Sequence, residues 1–266
     1  RGKWEGICAT FAFLASPVIG FVAARVVPMA PEAWRWVFGC GSFGLIPLIF
    51  AYFYLNETPR WLVTKGRIAE AEAVVEEISG VAVDLSEQAK VEAARVKVNV
   101  FTSLASLVQG KYLWRTILCL IIGFAQQGPS FAFIAWNNTL LQLNGVPQVQ
   151  ALLITTVGTL GQPAGALLSA FVGPLGGRKI PIGVFLALAS AMILIYINLG
   201  NNYILLATFL FLFQLTSICA AYTIYPYQAE SFPTSVRNTA TGTINAGARL
   251  GTAGVQQVVP VIFASG

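Results

Sequence analysis

The sequence predicts an all-α, multi-pass membrane protein, and three observations lead there. Of 266 residues, 56% are hydrophobic and only 10% charged, with a mean hydropathy of +0.71. Soluble domains carry about 25% charged residues, so most of this chain has no water-facing side to decorate. The apolar residues also gather into blocks of about 20, the length a helix needs to cross roughly 30 Å of hydrocarbon at about 1.5 Å per residue. Finally, lysine and arginine collect in alternate connectors, as cytoplasmic loops require.

Seven spans are predicted, at 5–27, 35–55, 115–136, 149–172, 181–199, 203–226 and 239–263. Arg1 and Lys3 precede the first span. The connector between the first two is acidic through Glu32 and is flanked by Arg25 and Arg35. Arg60, Lys65, Arg67, Lys90, Arg95, Lys97 and Lys111 fill the long connector before the third span, which Arg115 opens. No basic residue lies at 137–148, whereas Arg178 and Lys179 separate the fourth and fifth spans. The connector 200–202 again has none, and Arg237 stands between the sixth and seventh. The alternation puts the first visible terminus and the 57–112 connector in the cytoplasm.

That connector is the only soluble-looking stretch. Arg67–Ile78 is rich in helix formers, with Ile68, Ala71, Val74, Val75 and Ile78 at helical spacing. A second helix is expected over 86–99, and the segment is read as a solvated linker folded against the membrane face. Gly39-Cys-Gly-Ser-Phe-Gly44 fits the G-x-G-x-x-G expression but lies inside a span, with no strand before it and no acid at the required distance. Close helix packing on small residues is expected there instead.

Composition also excludes functions. A net charge of +5 is consistent with nucleic-acid binding, but the basic residues sit in membrane loops and form no patch. With no histidine, imidazole-ligated metals and histidine proton relays are excluded for this stretch. Cys8, Cys40, Cys119 and Cys219 lie in apolar blocks without ligand spacing and read as small hydrophobes. No cofactor is implied, and no convergent set of acids, His or Cys supports an enzyme. No lysine lies within a span to carry a retinal Schiff base.

Polar residues inside spans are costly and point to a site near the membrane midplane. The third span offers Gln126, Gln127, Ser130, Asn137 and Asn138, with Gln126, Ser130 and Asn137 sharing one face. The fourth offers Thr155, Thr159 and Gln162, and the sixth Gln214, Ser217, Tyr222 and Tyr225. Gln214, standing alone, reads as an interhelical hydrogen-bond partner. In the seventh, Asn245, Arg249, Thr252 and Gln256 repeat along one face. Arg249 has two readings: it snorkels to the cytoplasmic surface, or it faces a cavity and attracts an anion. No carboxylate lies deep in these spans, so a proton-coupling acid, if one exists, must lie elsewhere.

Glu57-Thr58-Pro59-Arg60-Trp61-Leu62 followed by Lys65-Gly66-Arg67 resembles the P-E-S-P-R-W-L…K-G-R signature after the sixth helix of major facilitator superfamily transporters. Tyr225–Thr234 with Arg237 and Gly242 resembles the P-E-x-F-P-T-x-x-R-x-x-G signature after the tenth. Gly177-Arg178-Lys179 is similar to the D-x-x-G-R-[RK] turn between helices eight and nine, except that Pro174 replaces the acid. Arg1-Gly2 matches the pair that opens the fifth helix. The resemblance, to the sugar porter and metabolite–proton symporter branch, makes the seven spans helices five to eleven of twelve. It implies a fragment without helices one to four and twelve. It divides the chain into 1–56 (two helices of the N-terminal bundle), 57–112 (inter-bundle loop) and 113–266 (five helices of the C-terminal bundle).

What the resemblance implies about function is a monomeric secondary transporter in the plasma (inner) membrane. It would move a sugar or organic acid by alternating access, with proton coupling open. A transporter-like sensor is the competing expectation. In sugar porters, glutamines placed like Gln126 and Gln127 bind sugar hydroxyls. The expected substrate-binding set is Gln126, Gln127, Ser130, Asn137, Thr159, Gln162, Tyr222, Asn245 and Arg249. Arg60, Arg178, Glu230 and Arg237 match the charges that latch the two bundles and are expected to gate.

Overall fold

The computed structural model describes residues 2–93, 100–172, 177–200, 202–234 and 236–265. Among these the regular structure is helical, without a strand. The N-terminal helices are α1 (Gly2–Val26), α2 (Trp34–Gly39) and α3 (Leu45–Tyr54). Four short helices follow: α4 (Pro59–Thr64), α5 (Ile68–Ser79), α6 (Ser86–Ala93) and α7 (Val100–Leu107). The remaining six are α8 (Gly110–Leu143), α9 (Gln148–Thr159), α10 (Gly161–Val172), α11 (Lys179–Tyr196), α12 (Tyr203–Glu230) and α13 (Arg237–Ser265). They form two compact units, one of residues 1–37 and 100–266 and one of 38–99.

In the first unit α12 is the hub, packing against α9, α10 and α11, while α13 lies along α8 and α1 along α9 and α10. Small residues permit these approaches. A Cβ on Gly161 or Gly165 would collide with the α12 carbonyls of Phe211 and Leu215. One on Gly6 would stand 2.9 Å from the Ala166 carbonyl oxygen. Such close backbone approach is how helices associate where no water drives them together. Leu206, Leu210 and Phe213 of α12 meet Ile154 and Tyr196 in the largest apolar cluster, where Phe133 sets its ring edge-on to Tyr196 and Phe213 at 5.1 and 5.4 Å. Cys119 and Cys219 are buried as expected, whereas Cys8 is exposed and Cys40 half-buried.

Six predicted spans are long and apolar enough to cross a bilayer: 6–29, 34–54, 112–143, 148–172, 179–196 and 203–230. The seventh, α13, has the length at 29 residues, but Asn238, Asn245, Arg249, Gln256 and Gln257 dilute its apolar character. Two spans are interrupted. The fourth breaks between α9 and α10 at Leu160, whose amide donates to Val157 O at 3.1 Å in a tighter turn. Pro163 has no amide to continue the ladder back to Thr159. The second breaks at Cys40–Gly44, a 3-10 segment. Helix packing on Gly39, Gly41 and Gly44 was expected, but nothing lies within 4 Å of a Cβ built on any of them. These glycines loosen the helix locally, since glycine gives up the most backbone entropy on ordering.

In the second unit, Leu62, Ala71 and Leu85 form a small core, flanked by Val63, Ile68, Val74 and Val75. Thr58 caps α4 by accepting from the Trp61 amide, and Pro59 fills the first turn, where its missing N–H costs nothing. Gly80 closes α5 at φ 69°, a left-handed cap that glycine adopts without strain. The Glu72 carboxylate accepts from the Leu85 amide at 2.9 Å, and Asn56 Nδ2 donates to Glu77 at 2.8 Å. Ile78 departs from expectation: it is 76% exposed, because the buried stripe of α5 ends at Val75. The second connector helix is seen over Ser86–Ala93, while 94–99, with Arg95 and Lys97, lie outside the described residues.

Candidate functional site

Where α8 crosses α12 and α13, a seam of amides and hydroxyls runs through otherwise apolar packing. Gln126 Nε2 donates to Ser217 O and to Ser217 Oγ, both at 3.3 Å. Ser130 Oγ donates to Gln126 O at 2.7 Å and lies 2.6 Å from Ser217 Oγ. Gln127 Nε2, about 100° around the helix, reaches Asn245 Oδ1 of α13 at 3.3 Å. Asn245 Nδ2 donates back to Thr241 O at 2.9 Å. Gln126, Gln127, Ser130 and Ser217 are all buried. A buried amide without partners would cost a few kcal/mol, so this set holds three helices in one register.

Asn137 lies about 16 Å further along α8 and belongs to a different cluster. Its Nδ2 donates to Thr155 Oγ1 of α9 at 3.0 Å, and its Oδ1 accepts from the Tyr196 hydroxyl of α11 at 2.7 Å. The expected common face of Gln126, Ser130 and Asn137 therefore meets different neighbours as α8 passes from α12 toward α9 and α11. Thr159 turns its hydroxyl onto its own helix at Thr156 O. Gln162 is half-buried and makes no hydrogen bond among the described residues. Gln214 corrects an expectation. It is 2% exposed, sits over Gly161, and forms no interhelical hydrogen bond among the described residues.

Arg249 is exposed and has no hydrogen bond or ion pair among the described residues. It lies about 18 Å along α13 from Arg237. On α12, Tyr225 stands edge-to-face with Tyr222, centroids 6.0 Å apart, and Tyr222 with Phe13 of α1 at 6.1 Å. Sequence reasoning missed Phe13, a phenylalanine in an apolar helix with no signal to separate it from its neighbours.

Three arginines gather at the C-terminal end of α12. Arg178 Nη2 donates to Glu230 Oε1 at 3.1 Å, Arg115 Nη1 to Ser231 O at 3.2 Å, and Arg237 Nε to Phe232 O at 3.3 Å. Cations belong where a helix leaves its last carbonyls unpaired. Of the expected gating residues, Arg178 and Glu230 pair, while Arg237 spends its guanidinium on the local turn. Arg60 lies on α4 in the second unit, exposed and beside Val63, Val75 and Leu85. Arg115 was noted in the sequence only as the charge that opens the third span. Pro174 lies outside the described residues.

The helical spans and the polar seam define an integral, multi-pass membrane protein of the major facilitator type. The family model described as sugar (and other) transporter matches residues 2–265, and the chain belongs to that family. YyaJ of Bacillus subtilis (strain 168) is 29% identical over 250 residues, covering 91% of this chain and 54% of that protein. The inner membrane metabolite transport protein YgcS of Escherichia coli (strain K12) is 28% identical over 260 residues, covering 92% and 54%. The chain thus spans about half the length of these relatives. Among solved structures, the major facilitator proton:xylose symporter XylE, bound to 6-bromo-6-deoxy-D-glucose, superposes with a TM-score of 0.64. It shares 17% identity over 98% of this chain and 57% of that one, a likeness of fold.

Proposed function

We propose that the whole protein is a secondary carrier that moves a small organic anion across the membrane by alternating access. The observation that carries this reading is Arg249, an exposed guanidinium with no partner among the described residues, well inside a long helix. An arginine at the centre of a membrane helix costs about 2.5–3.5 kcal/mol even by the mildest scales. A water-filled path and an anionic ligand offset that cost. The glutamine pair supports a sugar less well, because Gln126 and Gln127 already hold protein partners. Gln127 and Asn245, already bonded to each other, are assigned to supporting contacts, and Tyr222 and Tyr225 line the ligand's apolar side. Thr159 and Gln162 are assigned to the pathway, and Ser130 and Asn137 to its supporting contacts.

The pair Arg178–Glu230 is assigned to gating, with Arg237 and Arg60 as further charges that exchange partners between states. The charge distribution of the connectors supports 57–112 in the cytoplasm, and the likeness to an inner membrane protein of Escherichia coli supports a plasma (inner) membrane location. A monomer suffices for this mechanism, and proton coupling is left to an acid outside these spans.

Uptake of labelled organic acids and sugars into proteoliposomes, with the full-length protein and two pH gradients, tests the reading. Saturable anion uptake lost in Arg249→Ala and partly kept in Arg249→Lys is the expected result. Sugar uptake without anion uptake would overturn the substrate class. Tight binding with no uptake of any solute would favour a sensor.

A further inference from the structure

Resting on the carrier reading above, we infer that the second unit holds a regulatory site for a medium-chain fatty acid, whose occupancy slows transport. The site is a cavity of about 520 Å³ among α4, α5 and α6. That volume falls in the range of roughly 300–1,000 Å³ usual for small-ligand pockets. α4 packs against both α5 and α6 and so forms the wall they share. The lining is apolar and aliphatic: Val63 of α4, Val75 of α5, Val91 of α6, and Leu85 just before α6. Leu85 belongs to the small core at 6% exposed, whereas Val91 is 67% exposed and leaves apolar surface uncovered. None of the described lining side chains is aromatic, so a ligand gains there by burying an aliphatic chain and not by stacking a ring.

Two polar groups share this wall, the Arg60 guanidinium and the Gln88 amide. Neither has a hydrogen bond or ion pair among the described residues. Arg60 carries the one charge among the described lining residues, so the cavity attracts an anion and repels an amine. Glu72, whose carboxylate accepts from the amide of Leu85, is engaged by that bond. A planar guanidinium takes both oxygens of a carboxylate, and the glutamine adds a further donor. A single-chain acid therefore sets its charge on Arg60 and its chain along the three valines. A phospholipid, with two long chains, is a larger ligand than a cavity of this size takes. Arg60 is assigned above to the charges that exchange partners between states, and a bound carboxylate withdraws it from that exchange.

The test titrates butyrate, hexanoate and octanoate calorimetrically into the full-length protein in phosphatidylcholine nanodiscs, with the heat of empty nanodiscs subtracted. Each added methylene is expected to tighten binding by up to about four-fold, the value of one buried CH₂. Octanol and octylamine, matched in chain but not in charge, should bind at least ten-fold more weakly. Arg60→Gln should reduce octanoate to the level of octanol, while Arg249→Ala should leave it unchanged, which separates this cavity from the transport path. In proteoliposomes, octanoate should slow uptake of a carried acid without competing with it. Val91→Gln, at an exposed position, should keep uptake and lose much of that inhibition. Affinity independent of chain length, or octanoate binding lost in Arg249→Ala and kept in Arg60→Gln, overturns the site and leaves the carrier standing. A response to phosphatidylglycerol nanodiscs but not to octanoate makes the occupant a membrane lipid and overturns the fatty acid. Octanoate bound through Arg60 with uptake unslowed overturns the regulation. No uptake of any solute, with octanoate still bound through Arg60, overturns the carrier reading and leaves the site.

Discussion

Asn137 shows how one side chain can tie three helices. Both ends of its amide are engaged, by Thr155 and by the Tyr196 hydroxyl, and it is 1% exposed. Tyr196→Phe strands Asn137 Oδ1 without enlarging any cavity. Thermal unfolding in detergent should show a loss of about 1–3 kcal/mol, the cost of a buried acceptor left unmade. Gly165→Leu tests the opposite failure, since its side chain would strike the Leu215 carbonyl and push α10 from α12. Overpacking of that kind costs typically 1–3 kcal/mol. The same melting measurement should register it, while Gly183→Leu, at a glycine with nothing within 4 Å, should be silent.

At the scale of elements, the short helices of the second unit carry their own caps and charges. Arg67 donates to Glu70 across one turn and holds its carboxyl below the usual glutamate range, and the Ser86 hydroxyl and amide do the same for Asp84. A depressed carboxyl adds stability that is present above its unfolded pKa and disappears as pH falls through its folded one. Protection of α5 and α6 from limited proteolysis should therefore be level at neutral pH and decline only in acid, below the ordinary carboxylate range. Asp84→Asn should remove the decline at α6 and leave that at α5, while keeping an acceptor for the Ser86 amide. The end of α12 makes a separate prediction. Glu230→Arg or Arg178→Glu alone should slow uptake, and the double exchange should restore a substantial part of it, because neighbouring charges act as a unit. No restoration would mean that the two residues act separately.

For the whole molecule, the orientation rests on charge and is open to direct labelling. Single cysteines at Lys65 and Lys90, in a variant lacking the native four, should resist an impermeant maleimide added outside intact cells and react once the membrane is opened. A cysteine at Asn201 should show the reverse. Reaction of Lys65→Cys from outside would invert the topology.

Membrane class, the approximate spans and the family were legible in the sequence because each rests on local arithmetic: apolar length against bilayer thickness, basic residues against loop parity, and two long motifs after particular helices. The candidate site was legible only as an inventory of polar residues. Helical spacing placed Gln126, Ser130 and Asn137 on one face, but only packing sent the first two to Ser217 and the third to Thr155 and Tyr196. Likewise, the sequence sets Arg178 and Arg237 in two motifs and Arg115 at the start of a span, while only the structure gives each its acceptor at the end of α12. Transfer energies act on each segment separately and can be read in order along the chain. Hydrogen-bond partners depend on which helices approach within about 3 Å, a long-range property that only the folded chain decides.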